Sequence, residues 1–395
     1  MGIRRVLSSD SADNHGKGTF TFSRGLSPNG DCPLFRKCEC PLFWLLLAAP
    51  ALASADAHFG PFPTRDLTPF GYLRLDMRPP GAMSENDAAI GTWRFDSLLS
   101  HQNTWALSPG VERYLESFPG RRELTAEDME AIRALPGENY LVDLELSQLD
   151  LVAEYRFAAR WSAYAVLSGV SYQGGFLDGP IEEWHEWFDF SSYARERARR
   201  DDYNVILDLR SGERVESAPA TDNGLLDPTF GLRYVATDSA RRWTLVAEGA
   251  VKVPVAGQRT YLSTGNTDVG VQLSLQRSAG RHALYFGAAA VYFDGSDAIP
   301  SASAQVVPTL SAAYEFAITA KTHVVGQLYA SRSIYRSEDT GLTELLDDKY
   351  QFSFGLYHRS GSALWSLCIT ENPYSDNNTP DFGFQFGWSY RPALR

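Results

Sequence analysis

Apolar and polar residues alternate with a period of two along most of the chain after residue 90. In DVGVQLSLQ, Val269, Val271, Leu273 and Leu275 share one face, and FGFQFGWSY near the C-terminus has an aromatic residue at every second position. This alternation is typical of a β-strand with one apolar face. The segments that show it are 91–104, 140–156, 161–173, 229–236, 242–252, 266–276, 282–293, 305–316, 322–334, 348–358, 362–370 and 381–391.

Short and long connections alternate between these segments. FAAR, TDSAR, RSAGR, AITAK and RSGS form the short ones, and the long ones are roughly 104–140, 173–228, 253–265, 294–304, 335–347 and 371–380. A membrane barrel with short periplasmic turns and long extracellular loops has this arrangement. We therefore predict an all-β fold, a transmembrane antiparallel up-and-down β-barrel of about 12 strands with its apolar face toward lipid. A soluble barrel or sandwich with its apolar face inward is the alternative.

The alternation slips once, in the segment LVDLELSQLDLVAEYRF. Apolar residues occupy even positions up to Leu146 and odd positions from Leu149. Such a slip turns all later side chains to the opposite face unless a bulge absorbs it. We therefore predict a β-bulge near Ser147 and Gln148.

The first 55 residues resemble an export signal. Arg36 and Lys37 precede the apolar run PLFWLLLAAPALA, and the small residues Ala53-Ser54-Ala55 follow. This order predicts a signal peptide that is cleaved after Ala55, with Ala57 as the alternative, and a single barrel domain over residues 56–395. Of the 4 cysteines, Cys368 alone follows the predicted cleavage site, so no internal disulfide is expected.

Composition and charge narrow the class of protein and its partners. The chain is 44% hydrophobic and 21% charged, which excludes a disordered chain. Its net charge of -12, without a dominant basic stripe, argues against a nucleic-acid partner. We expect a porin-like protein in the outer membrane of a Gram-negative-type envelope. Its expected partners are outer-membrane lipids, lipopolysaccharide, and the export and barrel-assembly machinery, while the oligomeric state stays open and no cofactor is predicted.

Three stretches resemble a known family. LVDLELSQLDLVAEYRF, GGFLDGPIEEWHEWFDF and STGNTDVGVQLSL are similar to the bacterial outer-membrane family labelled domain of unknown function 3187. The resemblance covers most of the chain from about Phe59, and it is most specific at Gly174-Gly175-Phe176-Leu177-Asp178 with Ile181-Glu182 and His185. It implies an outer-membrane β-barrel and supplies no biochemical activity.

The long loop 173–228 begins with the pattern of a helix, at about residues 180–190. Pro180 suits the first helical position, and Ile181, Trp184 and Phe188 then share one face. We predict that loop 174–202 constricts the barrel mouth or binds a ligand; location on the outer leaflet and simple packing on the rim are alternatives. The candidate residues are Asp178, Glu182, Glu183, Trp184, His185, Glu186 and Trp187.

Two further features of this loop suggest ligands without requiring them. The carboxylates around His185 could hold a hard cation, but without a second histidine a solvated acidic face is favoured, and no metal is predicted. The basic run RERARR, Arg195 to Arg200, would suit lipopolysaccharide phosphates. A solvated, salt-bridged helix face is the favoured interpretation of that run.

A lipid-modifying hydrolase is a further alternative, because barrel lipases use an exposed His-x-Ser pair in which the histidine activates the hydroxyl. The chain has this spacing at His358-Arg359-Ser360, in a predicted periplasmic turn. His101 and Asn103 lie near the extracellular end of the first strand, but no serine follows that histidine. We therefore predict no catalytic residue and no enzymatic activity.

Charged residues also occur on the predicted inner face of the strands. They must line water or pair with one another, because unpaired burial costs several kcal/mol for each group. These residues are Arg94, Asp96, Asp143, Glu145, Asp150, Glu154, Arg233, Glu248, Lys252, Asp268 and Glu315. The pattern favours a narrow channel or transporter for small solutes, since a barrel of this size lies between filled small barrels and open porins. A sealed structural or surface-recognition barrel is the alternative.

Overall fold

The computed structural model of the chain describes residues 57–63, 66, 71–82, 89–188, 191–210, 214–217, 223–236, 243–255, 261–296, 302–372, 380 and 382–391. The predicted signal peptide and the cleavage site after Ala55 lie outside the described residues. None of the described helices is long and apolar enough to cross a membrane.

Twelve antiparallel strands form a closed barrel. They are β1 (Trp93–Leu107), β2 (Asn139–Ala158), β3 (Trp161–Gln173), β7 (Thr229–Val235), β8 (Thr244–Lys252), β9 (Asp268–Ala279), β10 (His282–Phe293), β11 (Gln305–Ala317), β12 (Thr322–Ser331), β13 (Lys349–Ser360), β14 (Ala363–Glu371) and β15 (Phe382–Tyr390). The barrel closes because β1 pairs with both β2 and β15. The predicted fold class is confirmed, and each predicted segment overlaps one barrel strand.

The outer face of the barrel is apolar, as the alternation predicts. On β9, Val271 and Leu273 are 61% and 56% exposed, whereas Gln272 between them is 6% exposed. On β15, Phe386 is 46% exposed and its neighbour Gln385 only 2%. The aromatic face of FGFQFGWSY therefore points away from the interior, and the alternative with the apolar face inward is wrong.

The two ends of the barrel differ in the length of their connections. Residues 159–160, 236–243, 280–281, 318–321 and 361–362 connect strands at what we call the short-loop end. The longer connections, which include residues 108–138 and 174–228, all lie at the opposite, long-loop end.

The predicted bulge at Ser147 and Gln148 is wrong. The register of β2 runs without interruption past both residues, and its irregularity lies between Arg156 and Ala158. The apolar pattern slips because β2 extends beyond the ring of exposed apolar side chains on the outer face, which we call the lipid-facing belt. Leu149 is 43% exposed on the outer face of the barrel, whereas Leu146, on the inner face, is buried in a core at the long-loop end.

The described parts of residues 108–138, 174–228 and 332–348 form what we call the cap. It covers the barrel strands at the long-loop end on both faces. Strand β4 (Asn204–Asp208) pairs with the end of β2, and β5 (Arg214–Ser217) pairs with β4; β6 (Gly224–Leu225) pairs with β3. The helices are α1 (Pro109–Glu116), α2 (Ala126–Arg133), α3 (Asp178–Phe188) and α4 (Thr343–Leu346). Helices α1 and α2 pack against the outer face of this sheet through Trp105, Leu107, Val111, Leu115, Phe118, Leu124, Met129, Ile132, Leu141 and Ile206.

Candidate functional site

The barrel lumen is occupied by the N-terminal part of the chain. We call the described parts of residues 57–82 the plug segment. Its apolar side chains Phe59, Phe62, Leu75 and Met77 are at most 3% exposed. The segment starts at the short-loop end, where His58 Nε2 lies 3.1 Å from the carbonyl oxygen of Gly280. It extends to the long-loop end and then returns.

Glu315 on β11 binds the start of the plug segment. Its carboxylate oxygens accept hydrogen bonds from the backbone N–H groups of Phe59 and Gly60, at 2.9 and 3.0 Å. His323 donates a further side-chain hydrogen bond to Glu315, and the hydroxyl of Tyr285 donates another at 2.6 Å. One buried wall carboxylate therefore orders two successive plug residues, through bonds that are stronger because the acceptor is charged.

Asp268 and Lys252 bind the plug segment at the long-loop end. Asp268 Oδ2 accepts a hydrogen bond from the backbone N–H of Leu75 at 2.8 Å, and Lys252 Nζ donates to the carbonyl oxygen of Leu73 at 2.8 Å. The two wall side chains also form an ion pair of 2.9 Å with each other. This pair therefore satisfies a donor and an acceptor of the plug backbone at once.

Wall side chains also bind the returning half of the plug segment. Arg78 forms a 2.7 Å ion pair with Asp150 on β2, and its carbonyl oxygen accepts a hydrogen bond from Gln272 at 3.0 Å. Gln276, further along β9, donates to the carbonyl oxygen of Gly81 at 3.1 Å. The plug thus contacts the wall along both of its passes through the lumen.

Little space remains between plug and wall. One lumen cavity has a volume of about 70 Å³ and lies among Phe59, Arg78, Arg94 and Arg233. Two smaller cavities have volumes of about 20 and 10 Å³. Measured as space for the centre of a water-sized sphere, a cavity needs about 10–15 Å³ to hold one water. These three cavities between described residues therefore have room for a few waters and are too small for a solute.

Most of the predicted lumen charges lie inside the barrel, and they are paired there. Arg94 pairs with Asp96 and Glu154, and Arg233 pairs with Glu154 and Glu248, at distances between 2.8 and 3.7 Å. The remaining ones, Asp150, Lys252, Asp268 and Glu315, have the partners given above. Pairing satisfies the requirement that a buried charge has a compensating partner.

Asp143 and Glu145 are exceptions, and their prediction as lumen residues is wrong. Both occupy odd positions of β2 and share the outer face with Leu149, whereas Asp150 is on the inner face. They are nevertheless buried, because the cap covers the outer face at this height. Asp143 accepts a hydrogen bond from Asn204 at 3.1 Å.

Glu145 belongs to a buried polar group on the outer face of the barrel. We call this group the outer-wall cluster; it consists of His101, Asn103, Glu145, Ser147, Asp178 and Arg195. The His101 ring lies between Ser147 and Glu145, with Nδ1 2.8 Å from Ser147 Oγ and Nε2 2.7 Å from Glu145 Oε2. Asn103 bonds both Glu145 and Asp178, at 3.3 and 3.0 Å.

The loop after β3 encloses the Glu145 carboxylate. Gly175 has a φ of +87°, and a Cβ atom added to it would lie 1.8 Å from Glu145 Cδ. The backbone N–H of Leu177 donates to Glu145 at 2.5 Å, and Phe176 stacks on His101 with 5.0 Å between ring centroids. Within the glycine pair that marks the family resemblance, Gly175 thus lies against Glu145, whereas Gly174 lies against the backbone of Asp201.

The described residues of loop 174–202 lie outside the lumen, so this loop does not form the predicted constriction of the barrel mouth. Asp178, at the start of α3, bonds Asn103 on the outer face and Arg195 at 2.9 Å. Glu182 pairs with Arg121 at 2.8 Å. These carboxylates are therefore partnered by cationic or amide groups.

The other predicted ligand residues of α3 face away from the barrel. Trp184 and Trp187 are 46% and 77% exposed. Glu183 and Glu186 are exposed, and His185 is half-buried. The helix thus presents two tryptophans and two carboxylates to its surroundings.

The basic run Arg195 to Arg200 forms ion pairs, but it is not a continuous helix. Residues Arg195–Arg197 form a 3₁₀ turn that ends at Ala198. Arg199 pairs with Glu123 at 2.8 Å, and Arg200 pairs with Glu182 at 2.5 Å. The predicted helix face is therefore wrong, whereas the salt bridges are present.

His358 contacts Thr322 across the strands at the short-loop end. Its Nδ1 lies 2.9 Å from Thr322 Oγ1, and the neighbouring Ser360 is exposed at the end of β13. The His-x-Ser pair that the hydrolase alternative would use, His358 and Ser360, therefore lies at the opposite end of the barrel from the outer-wall cluster.

The sequence did not indicate that a plug segment fills the lumen, and it did not indicate that Ser147 belongs to a polar cluster. A signal for the plug existed, since residues 56–90 contain several large apolar residues and are long for a linker to the first strand. Ser147 carried no such signal, because His101 and Ser147 are brought together by the register of neighbouring strands.

A family model described as "Protein of unknown function (DUF3187)" matches residues 130–392. The chain belongs to this family. The match includes β2 through β15 and the loop that encloses Glu145. Comparison with curated protein sequences found no match.

Several solved barrels are distantly similar. The COG4313 outer membrane channel from Pseudomonas putida F1 has 10% identity and a TM-score of 0.45, over 77% of this chain and 96% of that one. The Ralstonia pickettii toluene transporter TbuX has 8% identity and a TM-score of 0.37, over 78% and 92%. The translocator domain of autotransporter NalP from Neisseria meningitidis has 10% identity and a TM-score of 0.39, over 78% and 91%. Similarities this distant decide nothing about function.

Proposed function

We propose that the protein is an outer-membrane channel for small solutes, and that the plug segment closes its lumen in the resting conformation. The observation that carries the proposal is that wall side chains bind the backbone of a separate segment inside the lumen. Glu315, Asp268 and Lys252 make such hydrogen bonds, at 2.8 to 3.0 Å.

The chemistry of the lumen wall supports a removable plug. The wall groups that bind the segment include carboxylates, an ammonium, amides and hydroxyls, all of which water can solvate when the segment leaves. The pairs of Arg233 with Glu154 and Glu248 lie within the wall, so they persist without the plug. Opening would therefore leave no uncompensated charge in a dry environment.

The outer face supports placement in a membrane. Exposed leucine, valine and phenylalanine side chains surround the barrel, and a closed barrel leaves no edge strand unpaired. In the usual orientation of such barrels the short turns face the periplasm. The start of the plug segment lies at the short-loop end, which suits a chain exported from the periplasmic side.

A permanently sealed structural barrel is the second candidate. It is favoured by the small volumes of the described lumen cavities, about 70, 20 and 10 Å³. The two candidates differ in whether weakening the contacts between plug and wall produces conductance.

The experiment compares two double variants in planar bilayers. Asp268→Asn with Glu315→Gln neutralises the two carboxylates that bind the plug backbone. Glu154→Gln with Glu248→Gln is the matched control, since it neutralises two lumen carboxylates that pair with Arg233. We expect frequent opening steps from the first variant only. Equal and negligible conductance from both folded variants would favour the sealed barrel.

A further inference from the structure

We propose that the outer-wall cluster is a serine hydrolase site that cleaves ester-linked acyl chains of lipids at the long-loop rim of the barrel. Ser147 is the nucleophile, His101 the general base, and Glu145 the residue that positions His101. The site lies on the outer face of the wall and is independent of the lumen and its plug.

The hydrogen bonds indicate which ring nitrogen of neutral His101 carries the proton. An ionised carboxylate is only an acceptor, so Nε2, which lies 2.7 Å from Glu145, carries the hydrogen. Nδ1 then presents its lone pair to the Ser147 hydroxyl at 2.8 Å. A nucleophile bonded to a base, with the base oriented by a third group, is the arrangement that activates a serine.

The positioning groups are rigidly held. Glu145 is 0% exposed, and it is bonded by the N–H of Leu177 and by Asn103 in addition to His101. Phe176 and Phe384 lie beside the imidazole, at ring-centroid distances of 5.0 and 5.2 Å. Buried partners of this kind keep a catalytic geometry within narrow limits.

Ser147 lies where a lipid could reach it. Unlike Glu145, it is only half-buried. The next outward residues along the strands, Leu149 on β2 and Leu99 on β1, are each 43% exposed on the apolar face. Ser147 therefore lies at the edge of the lipid-facing belt that is nearer the long-loop end. The acyl esters of membrane lipids lie at this depth.

Exposed aromatic side chains next to the cluster suit the same depth. Phe176 is 57% exposed, and Trp184 and Trp187 project from α3 in the same loop. Aromatic residues concentrate at the membrane–water interface. They would place the ester group of a lipid, rather than a soluble ester, beside Ser147.

The reaction requires only water as a co-reactant. Ser147 Oγ attacks the acyl carbonyl carbon while its proton passes to His101 Nδ1. The ester C–O bond then breaks, and the leaving alkoxide takes that proton, which leaves the acyl group on Ser147. Water next attacks the acyl carbon, His101 accepts and returns one proton, and a fatty acid and the free serine result.

Gln173 on β3 provides a donor for the oxyanion. Its Nε2 donates a hydrogen bond of 3.2 Å to Ser147 Oγ. A carboxamide next to the attacked carbon can stabilise the negative charge of the tetrahedral intermediate. Replacement of Gln173 by Ala is expected to lower the rate about 10²-fold to 10³-fold.

The first test labels the nucleophile directly. A fluorophosphonate reacts covalently with activated serines, so mass spectrometry of the treated, folded barrel should find the adduct on Ser147. Ser147→Ala removes the adduct, whereas the control Ser171→Ala, at the cross-strand partner position, keeps it. His101→Gln should slow labelling about 10²-fold to 10⁴-fold. Absence of the adduct on folded barrel, or equal labelling of the His101 variant, overturns the proposal.

The second test identifies the lipid. Fatty-acid release is measured from phospholipid vesicles and, separately, from lipopolysaccharide, with unmodified protein and the Ser147→Ala and Ser171→Ala variants. Release from either lipid that depends on Ser147 supports the site and names its source. Release from neither overturns the assignment of acyl lipids as substrates.

A third variant separates positioning from packing. Glu145→Gln retains the volume of the side chain but not its charge. A positioning role predicts a lower kcat with little change in KM, and an unchanged migration of the folded barrel on unheated gels. Unchanged kcat in this variant would exclude Glu145 from the site.

Discussion

Among single residues, the glycine at position 175 is explained by one close contact that its residue type alone does not reveal. Gly175 is required because its φ is +87° and because any Cβ would collide with the Glu145 side chain. The sequence showed a glycine pair at this place and its resemblance to a family, but a sequence pattern contains no information about which side chain approaches it. Asp143 and Glu145 show the same limit, since their face could be assigned only after the register of β2 was known.

Gly175→Ala should therefore inactivate the outer-wall cluster. Displacement of Glu145 would release His101, and we expect loss of fluorophosphonate labelling at Ser147 in a barrel that still folds. Gly179→Ala is the matched control, because the nearest atom to its added Cβ is 3.8 Å away. Labelling that survives in the Gly175 variant would mean that the contact does not hold Glu145 in place.

A second residue-scale prediction concerns Asp128, at the start of α2. Hydrogen bonds from Arg122 hold the pKa of Asp128 well below its usual value; burial opposes this shift, and bonds from Thr125 add to it. Because the folded pKa is lowered, the stabilisation is fully present above the ordinary value of 3.8 and is lost as the pH falls below it.

The variant Asp128→Asn should destabilise α2 locally by about 1 kcal/mol at neutral pH, through loss of the capping box. Hydrogen exchange of the α2 amides, compared between the variant and the unmodified chain, measures this effect. Equal protection at pH 7 would contradict it, and the difference should shrink at pH values below the ordinary pKa of aspartate.

At the scale of elements, the strands were predictable because lipid imposes a strict rule on them. Within the belt, every second side chain must be apolar, and the predicted limits of β3 and β10 agree with the structure. The rule ends where the cap begins. Leu144 and Leu146 are apolar because they face an inner core, so the apparent slip in β2 reflects a change of surroundings, not of register.

A charge on the lipid face should be costly, while one on the cap surface should not be. Leu151 is 49% exposed on the outer face of β2, and Leu151→Arg is expected to cost about 2–4 kcal/mol toward the membrane midplane. Trp187→Arg on α3, where the side chain is 77% exposed, is the control. Denaturant unfolding in lipid vesicles measures both, and equal costs would place Leu151 outside the lipid belt.

At the scale of the whole molecule, the sequence predicted a barrel but not what fills it. The plug is held by contacts between wall side chains and the backbone of residues almost 200 or more positions away, such as Leu75 with Asp268 and Gly60 with Glu315. Backbone groups leave no trace in residue type, so these contacts have no sequence pattern. The loop expected to narrow the channel instead covers the outer wall, where Asp178 meets Asn103.

We propose that the plug segment, and not loop 174–202, closes the lumen. The test compares the planar-bilayer conductance of the chain from residue 56 onward with that of a variant that also lacks residues 57–82, and a variant lacking residues 180–188 of α3 is the control. We predict sustained, discrete conductance steps when the plug is removed and a closed barrel when α3 is removed. A folded barrel that stays closed without residues 57–82, or that opens only when α3 is deleted, would contradict the account.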